Sequence, residues 1–148
     1  MLSKLEMVYN DIDKANIKIY DYHISDTKKA ACVRTNSIKA IAIDKSQIKT
    51  SAEERTIITE ELSHYETNSL YLIEFTSNTH IGRLNQIICE AKARHHTIKK
   101  LLPFKEMKEA IHNGCTEIYE LAEHFEVTED FIKSAIKYYT ENCNLDFN

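Results

Sequence analysis

The chain has few of the residues that interrupt regular secondary structure. Only two glycines and one proline occur among its 148 residues. Because glycine and proline favour turns and end helices, their scarcity predicts helices that are joined by short polar connections. The length corresponds to one domain of ordinary size, residues 1–148, with a hydrophobic core of its own.

Paired cysteines, long apolar runs and excess basic charge are also missing. No C-x-x-C pair and no basic-then-apolar leader occur, so we expect reduced thiols and a cytoplasmic protein. No apolar run approaches the roughly 20 residues that cross a bilayer, so no membrane span is expected. The formal net charge of -4 argues against nonspecific nucleic-acid binding, which depends on excess Lys and Arg facing phosphate. The four cysteines are Cys32, Cys89, Cys115 and Cys143.

Hydrophobic periodicity predicts a mixed N-terminal part. Apolar residues at helical intervals indicate a first amphipathic helix over residues 3–16. Alternating apolar residues within residues 17–43 then indicate three short strands, which we expect to form a small antiparallel sheet. The alternation is clearest over residues 37–44. Residues 68–78 are compatible with a loop or with a strand over residues 70–75.

The remainder of the chain reads as helical. Thr50 is a candidate N-cap, with Glu53 three residues later as in a capping box, and the helix that follows carries an apolar stripe for the core. A long second helix over residues 81–102 ends at Pro103. We therefore expect an α+β fold that is mostly helical. Its parts are a helix and sheet (1–50), two site-bearing helices (51–103) and a C-terminal helical part (104–113, 116–125 and 129–139, within 104–148).

The first site-bearing helix contains the segment EERTIITEELSHY. It places Glu60, Glu61 and His64 at i, i+1 and i+4, the spacing of H-E-x-x-H with glutamate in place of the first histidine. In that motif two histidines one turn apart bind Zn²⁺ and the intervening glutamate acts as general base. The same geometry offers Glu60 and His64 as ligands and Glu61 as the base. The alternative is an ordinary solvated acidic face.

Glu90 on the long helix is a candidate third ligand. A carboxylate on a second helix packed against the first is what a zinc-protease site of the glutamate type requires, and the small or apolar neighbours of Glu90 suit an inward side chain. The alternative is a surface glutamate that pairs with Arg94 at i+4.

The last two helices have the apolar spacing of a helix-turn-helix. However, Glu129 and Asp130 occupy the first turn of the would-be recognition helix, where side chains meet bases and phosphates. Their charge repels DNA, so we interpret this unit as a packing unit and do not expect direct DNA binding.

Three segments together resemble the ImmA/IrrE family of metallopeptidase-like proteins, which occur in prophages and integrative elements. The segments are AEERTIITEELSHY, CEAKARHHTIKKLLP and ELAEHFEVTEDFI, and the resemblance covers nearly the whole chain. In the family, the helix after the sheet carries H-E-x-x-H, and the next long helix carries E-x-x-A and a leucine-rich turn ending in proline. The departure at Glu60 looks like a trait of phage-type relatives, which often read E-E-L-G-H-Y, and Ser63 replaces that glycine.

This resemblance implies a zincin-like domain with Glu60, His64 and Glu90 as metal ligands and Glu61 as general base. It further implies a zinc-dependent metallo-endopeptidase of a prophage or mobile element, with a helix-turn-helix repressor as substrate or binding partner. Two carboxylates and one imidazole place more negative charge on the ion than two histidines do, so Mn²⁺ or Fe²⁺ are alternatives to Zn²⁺. No bound metal is the third alternative.

Two other classes of function remain open. An inactive pseudo-peptidase that binds a repressor as an antirepressor module would explain the missing first histidine. A carboxylate-bridged dimetal protein would use E-x-x-H twice, at Glu61/His64 and at Glu109/His112. Such proteins are built from four long helices, whereas this chain begins with a helix and strands.

Overall fold

The computed structural model describes residues 1–70 and 79–148. Within these ranges the chain forms six α-helices and a three-stranded sheet, which confirms the mostly helical α+β class. In the described part, no helix has both the length and the apolarity needed to cross a membrane. The prediction of a loop or strand over residues 68–78 falls largely on residues 71–78, which lie outside the described ranges.

The elements are α1 (Lys4–Lys14), β1 (Lys18–Asp21), β2 (Ala30–Arg34), β3 (Lys39–Ile43), a 3₁₀ turn (Lys45–Gln47), α2 (Ser51–Glu66), α3 (His80–Leu101), α4 (Phe104–His112), α5 (Ile118–Phe125), α6 (Glu129–Lys137) and a π-helical turn (Tyr138–Asn142).

The sheet has the order β1-β3-β2, with β3 in the centre. Its alternating residues behave as the sequence predicts, since Ile41 and Ile43 are fully buried. β2 and β3 are antiparallel neighbours, but β1 runs parallel to β3, so the prediction of a wholly antiparallel sheet is wrong for β1. The reason is topological: after β1 the chain crosses to the far side of the sheet and returns through the β2–β3 hairpin. Among the described strands, β2 consequently lies at an edge of the sheet.

Helix α2 begins where the sequence predicts. The Thr50 hydroxyl accepts a hydrogen bond from the backbone N–H of Glu53 at 3.1 Å. The Glu53 carboxylate, however, accepts from the backbone N–H of Lys49 at 3.0 Å rather than closing the reciprocal half of a capping box. Ile58 and Leu62 of this helix are fully buried in a core that α1, α2 and the sheet share.

Helix α3 crosses α2, and its C-terminal half makes the contact. Ala93 and Thr97 are buried there, and the Thr97 Oγ1 lies 2.8 Å from the Ser63 Oγ of α2. The N-terminal half of α3 carries several apolar side chains that are exposed. Its exposed apolar residues are Ile81, Leu84, Ile87 and Ile88.

The C-terminal helices form a second core with the end of α3. Leu121, Phe125 and Phe131 are buried between α5 and α6, so this unit packs as the sequence predicts. Glu129 and Asp130 in the first turn of α6 are exposed.

Candidate active site

The crossing of α2 and α3 brings the predicted ligands of the two helices together. His64 is almost fully buried, and its Nε2 lies 3.4 Å from Oε2 of Glu90, whose side chain is half exposed. The two residues are 26 positions apart in the sequence, so only the packing of α3 on α2 makes them neighbours. A carboxylate from the second helix therefore lies beside the predicted histidine, but Glu90 is half exposed and not turned inward as predicted.

The other ring nitrogen of His64 is held by the main chain. Nδ1 lies 3.2 Å from the carbonyl oxygen of Ser69. The turn after α2 places this carbonyl: Asn68 adopts a positive φ of 52°, and the backbone N–H of Ser69 donates to the carbonyl of His64 at 3.0 Å. Because a carbonyl can only accept, Nδ1 carries a proton and the Nε2 of a neutral ring presents its lone pair towards Glu90.

These contacts also shift the pKa of His64. Burial opposes protonation, but the hydrogen bonds to Glu90 and to the Ser69 carbonyl, together with nearby negative charge, outweigh burial and raise the pKa of His64. These contacts therefore stabilise the protonated ring, which donates from both nitrogens, more than they stabilise the neutral ring.

The His64–Glu90 pair fits a metal ion in two respects. Metal-bound histidines usually donate their second N–H to a carbonyl or carboxylate, which fixes the ring, and the Ser69 carbonyl supplies such a partner. Two donor atoms bound at about 2.0 Å to one tetrahedral zinc lie about 3.3 Å apart. The observed separation of 3.4 Å between Nε2 and Oε2 agrees with that value.

Glu61 faces the same region from the sheet side. Its carboxylate and the thiol of Cys32 on β2 influence each other's pKa, and both residues line a cleft of about 160 Å³ together with His64 and Glu90. Burial raises the pKa of Glu61, with the negative charges of Glu90 and Glu60 adding to the effect and His64 and Cys32 opposing it. A carboxylate with a raised pKa is suited to accept a proton.

Burial, followed by the nearby Glu61 carboxylate, also raises the pKa of the Cys32 thiol. This thiol therefore stays protonated at neutral pH. Sequence reasoning missed Cys32. The only signal was strand alternation, which says which face a residue occupies but not which helix covers that face.

Glu60 lines the site, but another side chain holds its carboxylate. Oε1 of Glu60 forms an ion pair with Nη1 of Arg94 on α3. Both residues line a cavity of about 330 Å³ with His64 and Glu90. Burial raises the pKa of Glu60, and the Arg94 guanidinium opposes that shift. Arg94, which the alternative interpretation paired with Glu90 along α3, forms an ion pair with Glu60 of α2.

The three predicted ligands therefore line one cavity, but their side chains have different partners. His64 and Glu90 face each other, whereas Glu60 is turned towards Arg94. Within the described residues, no group of three His, Cys, Asp or Glu side chains is already placed around one point where an ion would bind.

Other histidines have separate partners. The Nε2 of His96 lies 2.5 Å from a carboxylate oxygen of Glu66, and the ring of His95 stacks on Tyr138 with centroids 4.2 Å apart. The Nε2 of His112 lies 3.2 Å from the carbonyl oxygen of Phe147, near the C-terminus. His112 of the second E-x-x-H pair thus has a partner in the C-terminal segment, which does not support the dimetal interpretation.

Comparison with known proteins yields no match to a family model, a curated protein or a solved structure.

Proposed function

We propose that this chain is a metal-dependent endopeptidase of a prophage or mobile element that works in the cytoplasm and acts on a helix-turn-helix repressor. The observation that carries the proposal is the setting of His64, whose Nδ1 is held by the Ser69 carbonyl while its Nε2 faces Glu90 at 3.4 Å. The class of substrate follows from the resemblance to the ImmA/IrrE family.

His64 and Glu90 are the residues that would hold the metal, with Glu60 as the third ligand from the same cavity. The donor set suits Zn²⁺, and its two carboxylates make Mn²⁺ or Fe²⁺ alternatives. When bound, such an ion supplies Lewis-acid polarisation of the scissile carbonyl and makes water a stronger acid.

The chain's own residues supply the proton transfers and the position of the substrate. Glu61 takes a proton from the attacking water on its carboxylate oxygen and then passes it to the leaving amine nitrogen. The Cys32 thiol lines the same cleft as that carboxylate and would orient it by donating to it. β2 is an edge strand, and its Cys32 and Val33 line the cleft that contains Glu61. An extended peptide can pair with such an edge and would then lie across the site.

Elemental analysis and a cleavage assay on the same preparations test the proposal. The full chain, purified without a metal-binding tag, should carry about one ion per molecule, as a catalytic site of this type does, and should cleave helix-turn-helix repressors encoded beside it. Glu61→Gln should keep the metal and lose cleavage, whereas His64→Ala and Glu90→Ala should lose both. Glu123→Gln, on the exposed face of α5, is the matched control. Cleavage by Glu61→Gln at the unaltered rate would contradict the assigned role.

A second candidate is a repressor-binding module without catalysis. The ion pair between Glu60 and Arg94 favours it, because one of the three ligand groups already has a cation as its partner. This candidate predicts that Glu61→Gln still removes the repressor from its operator DNA in a mobility-shift assay. Loss of that effect in Glu61→Gln, with folding intact, supports the endopeptidase.

A further inference from the structure

Arg94 lies where α2, α3 and α6 meet. Its Nη1 pairs with Glu60 on α2, and its Nη2 donates to the Ser134 hydroxyl of α6 at 2.9 Å. The guanidinium carbon lies 5.2 Å from the ring centroid of Phe131, also on α6. A guanidinium that is held by a carboxylate, a hydroxyl and an aromatic ring has one fixed position. Helix α6 therefore keeps the positive charge against Glu60.

The charges of the site explain why a cation is needed there. Glu60, Glu61 and Glu90 bring three carboxylates to the cavity and the adjoining cleft. A partly buried carboxylate without a counter-charge is strongly disfavoured. Where H-E-x-x-H has a neutral imidazole, this chain has the extra negative charge of Glu60. The ion pair with Arg94 compensates that charge inside the protein.

A divalent ion that binds Glu60 must therefore compete with the Arg94 guanidinium, which already pairs with that carboxylate. It either displaces the Arg94 guanidinium from the carboxylate or binds beside its positive charge. Building on the proposed metal site, we propose that Arg94 is a resident counter-cation that competes with divalent metal for Glu60 and so lowers the metal affinity of the site. In this role Arg94 is a positioning residue that acts through Glu60.

Zinc affinity of the full chain, measured by competition with a chromogenic zinc chelator, tests this inference without any assay of cleavage. Arg94→Met should bind zinc more tightly by about tenfold or more, the scale of outer-ligand effects on metal sites. Arg94→Lys keeps the positive charge and should stay close to the unaltered chain. If Arg94→Met does not fold, as judged by circular dichroism, Arg94→Gln takes its place with the same expected result.

The same comparison in a Glu60→Gln background shows whether Arg94 acts through Glu60. There, Arg94→Met should no longer tighten zinc binding, and an undiminished gain would overturn the inference. Unchanged or weaker binding by Arg94→Met alone would also overturn it, since Arg94 would then orient Glu60 for the metal, while the metal site itself would stand. Zinc bound only after Arg94→Met supports the inference, and it refutes the endopeptidase proposal if the unaltered chain binds neither Mn²⁺ nor Fe²⁺. If no folded variant binds zinc, Mn²⁺ or Fe²⁺, both proposals are refuted.

Discussion

Ser63 and Thr97 form a buried side-chain contact between the two helices that carry the candidate site. Ser63 of α2 and Thr97 of α3 are both fully buried, and the Thr97 Oγ1 lies 2.8 Å from the Ser63 Oγ and 2.8 Å from the carbonyl oxygen of Ala93. Because each hydroxyl carries one proton, both contacts are satisfied when Ser63 donates to Thr97 and Thr97 donates to the carbonyl. Ser63 is adjacent to His64, so this contact helps to fix where α3 crosses α2 relative to the ligand-bearing residues.

The substitution Thr97→Val tests this contact. Valine has nearly the shape of threonine, so no cavity forms, but the Ser63 hydroxyl remains buried and loses its partner. A buried polar group without a partner costs about 1–3 kcal/mol. For a loss of about 2 kcal/mol in a chain of this size, the midpoint of thermal unfolding should fall by roughly 4–8 °C.

Two companion variants separate the hydrogen bond from packing. Ser63→Ala leaves Thr97 bonded to the Ala93 carbonyl and should cost less than Thr97→Val. The double variant removes both polar groups and should recover most of the loss, because replacing both partners with apolar groups is nearly neutral. Urea unfolding of the full chain, followed by circular dichroism, gives the four free energies. A double variant as unstable as the sum of the single ones would refute the reasoning, and so would a loss below about 0.5 kcal/mol for Thr97→Val, the range of inconsequential substitutions.

Two further predictions concern other parts of the fold. Tyr139 donates from its hydroxyl to the Leu102 carbonyl at 2.7 Å, so Tyr139→Phe should cost about 1–3 kcal/mol in thermal unfolding, whereas the same change at the exposed Tyr119 should be silent. The Ser46 hydroxyl and other donors hold the pKa of Asp44 well below its ordinary value of 3.8, so its ionised form stabilises the fold above that pH and the stabilisation is lost as pH falls. Asp44→Asn should therefore lower stability at pH 7 and have less effect near pH 3, as urea unfolding at both values would show, and an equal effect at both would contradict this.

Local chemistry explains which parts of the fold could be read from the sequence. The N-cap at Thr50, the end of α3 before Pro103 and the alternation in β3 depend on neighbours within a few residues, and each is found where it was expected. The candidate ligands on α2 were placed by helical spacing for the same reason. The neighbouring positions of His64 and Glu90 required one additional assumption, that the two long helices pack together.

Contacts set by tertiary packing were beyond that reasoning. Along α3, spacing alone made Arg94 a partner for Glu90, but the crossing of the helices puts its guanidinium against Glu60, 34 residues away. Tertiary packing also separates apolar residues of α3 from one another, since Ile98 is buried whereas Ile81 and Leu84 are exposed. The parallel pairing of β1 likewise depends on the route of the chain between strands rather than on the strand residues.

Glu61 combines a proposed catalytic role with a cost in stability, because desolvation by burial, aided by the nearby Glu90 and Glu60 carboxylates, raises its pKa above the ordinary 4.5. An acid whose pKa is raised on folding keeps its proton in the native chain at pH values where the unfolded chain has lost it. Stability therefore falls as pH rises through the window that begins near 4.5.

Glu61→Gln removes that ionisation while nearly keeping the shape of the side chain. In metal-free protein, the variant should be more stable than the unaltered chain at pH 8 and gain little at pH 4.5, since the native carboxyl is then mostly protonated. The measurement is urea unfolding in the presence of a chelator at both pH values, with the exposed Glu123→Gln as control. An equal gain at both pH values would show that packing, and not the buried charge, is responsible. A gain confined to high pH, together with lost cleavage in the metal-loaded variant, would identify Glu61 as a residue whose placement favours function over stability.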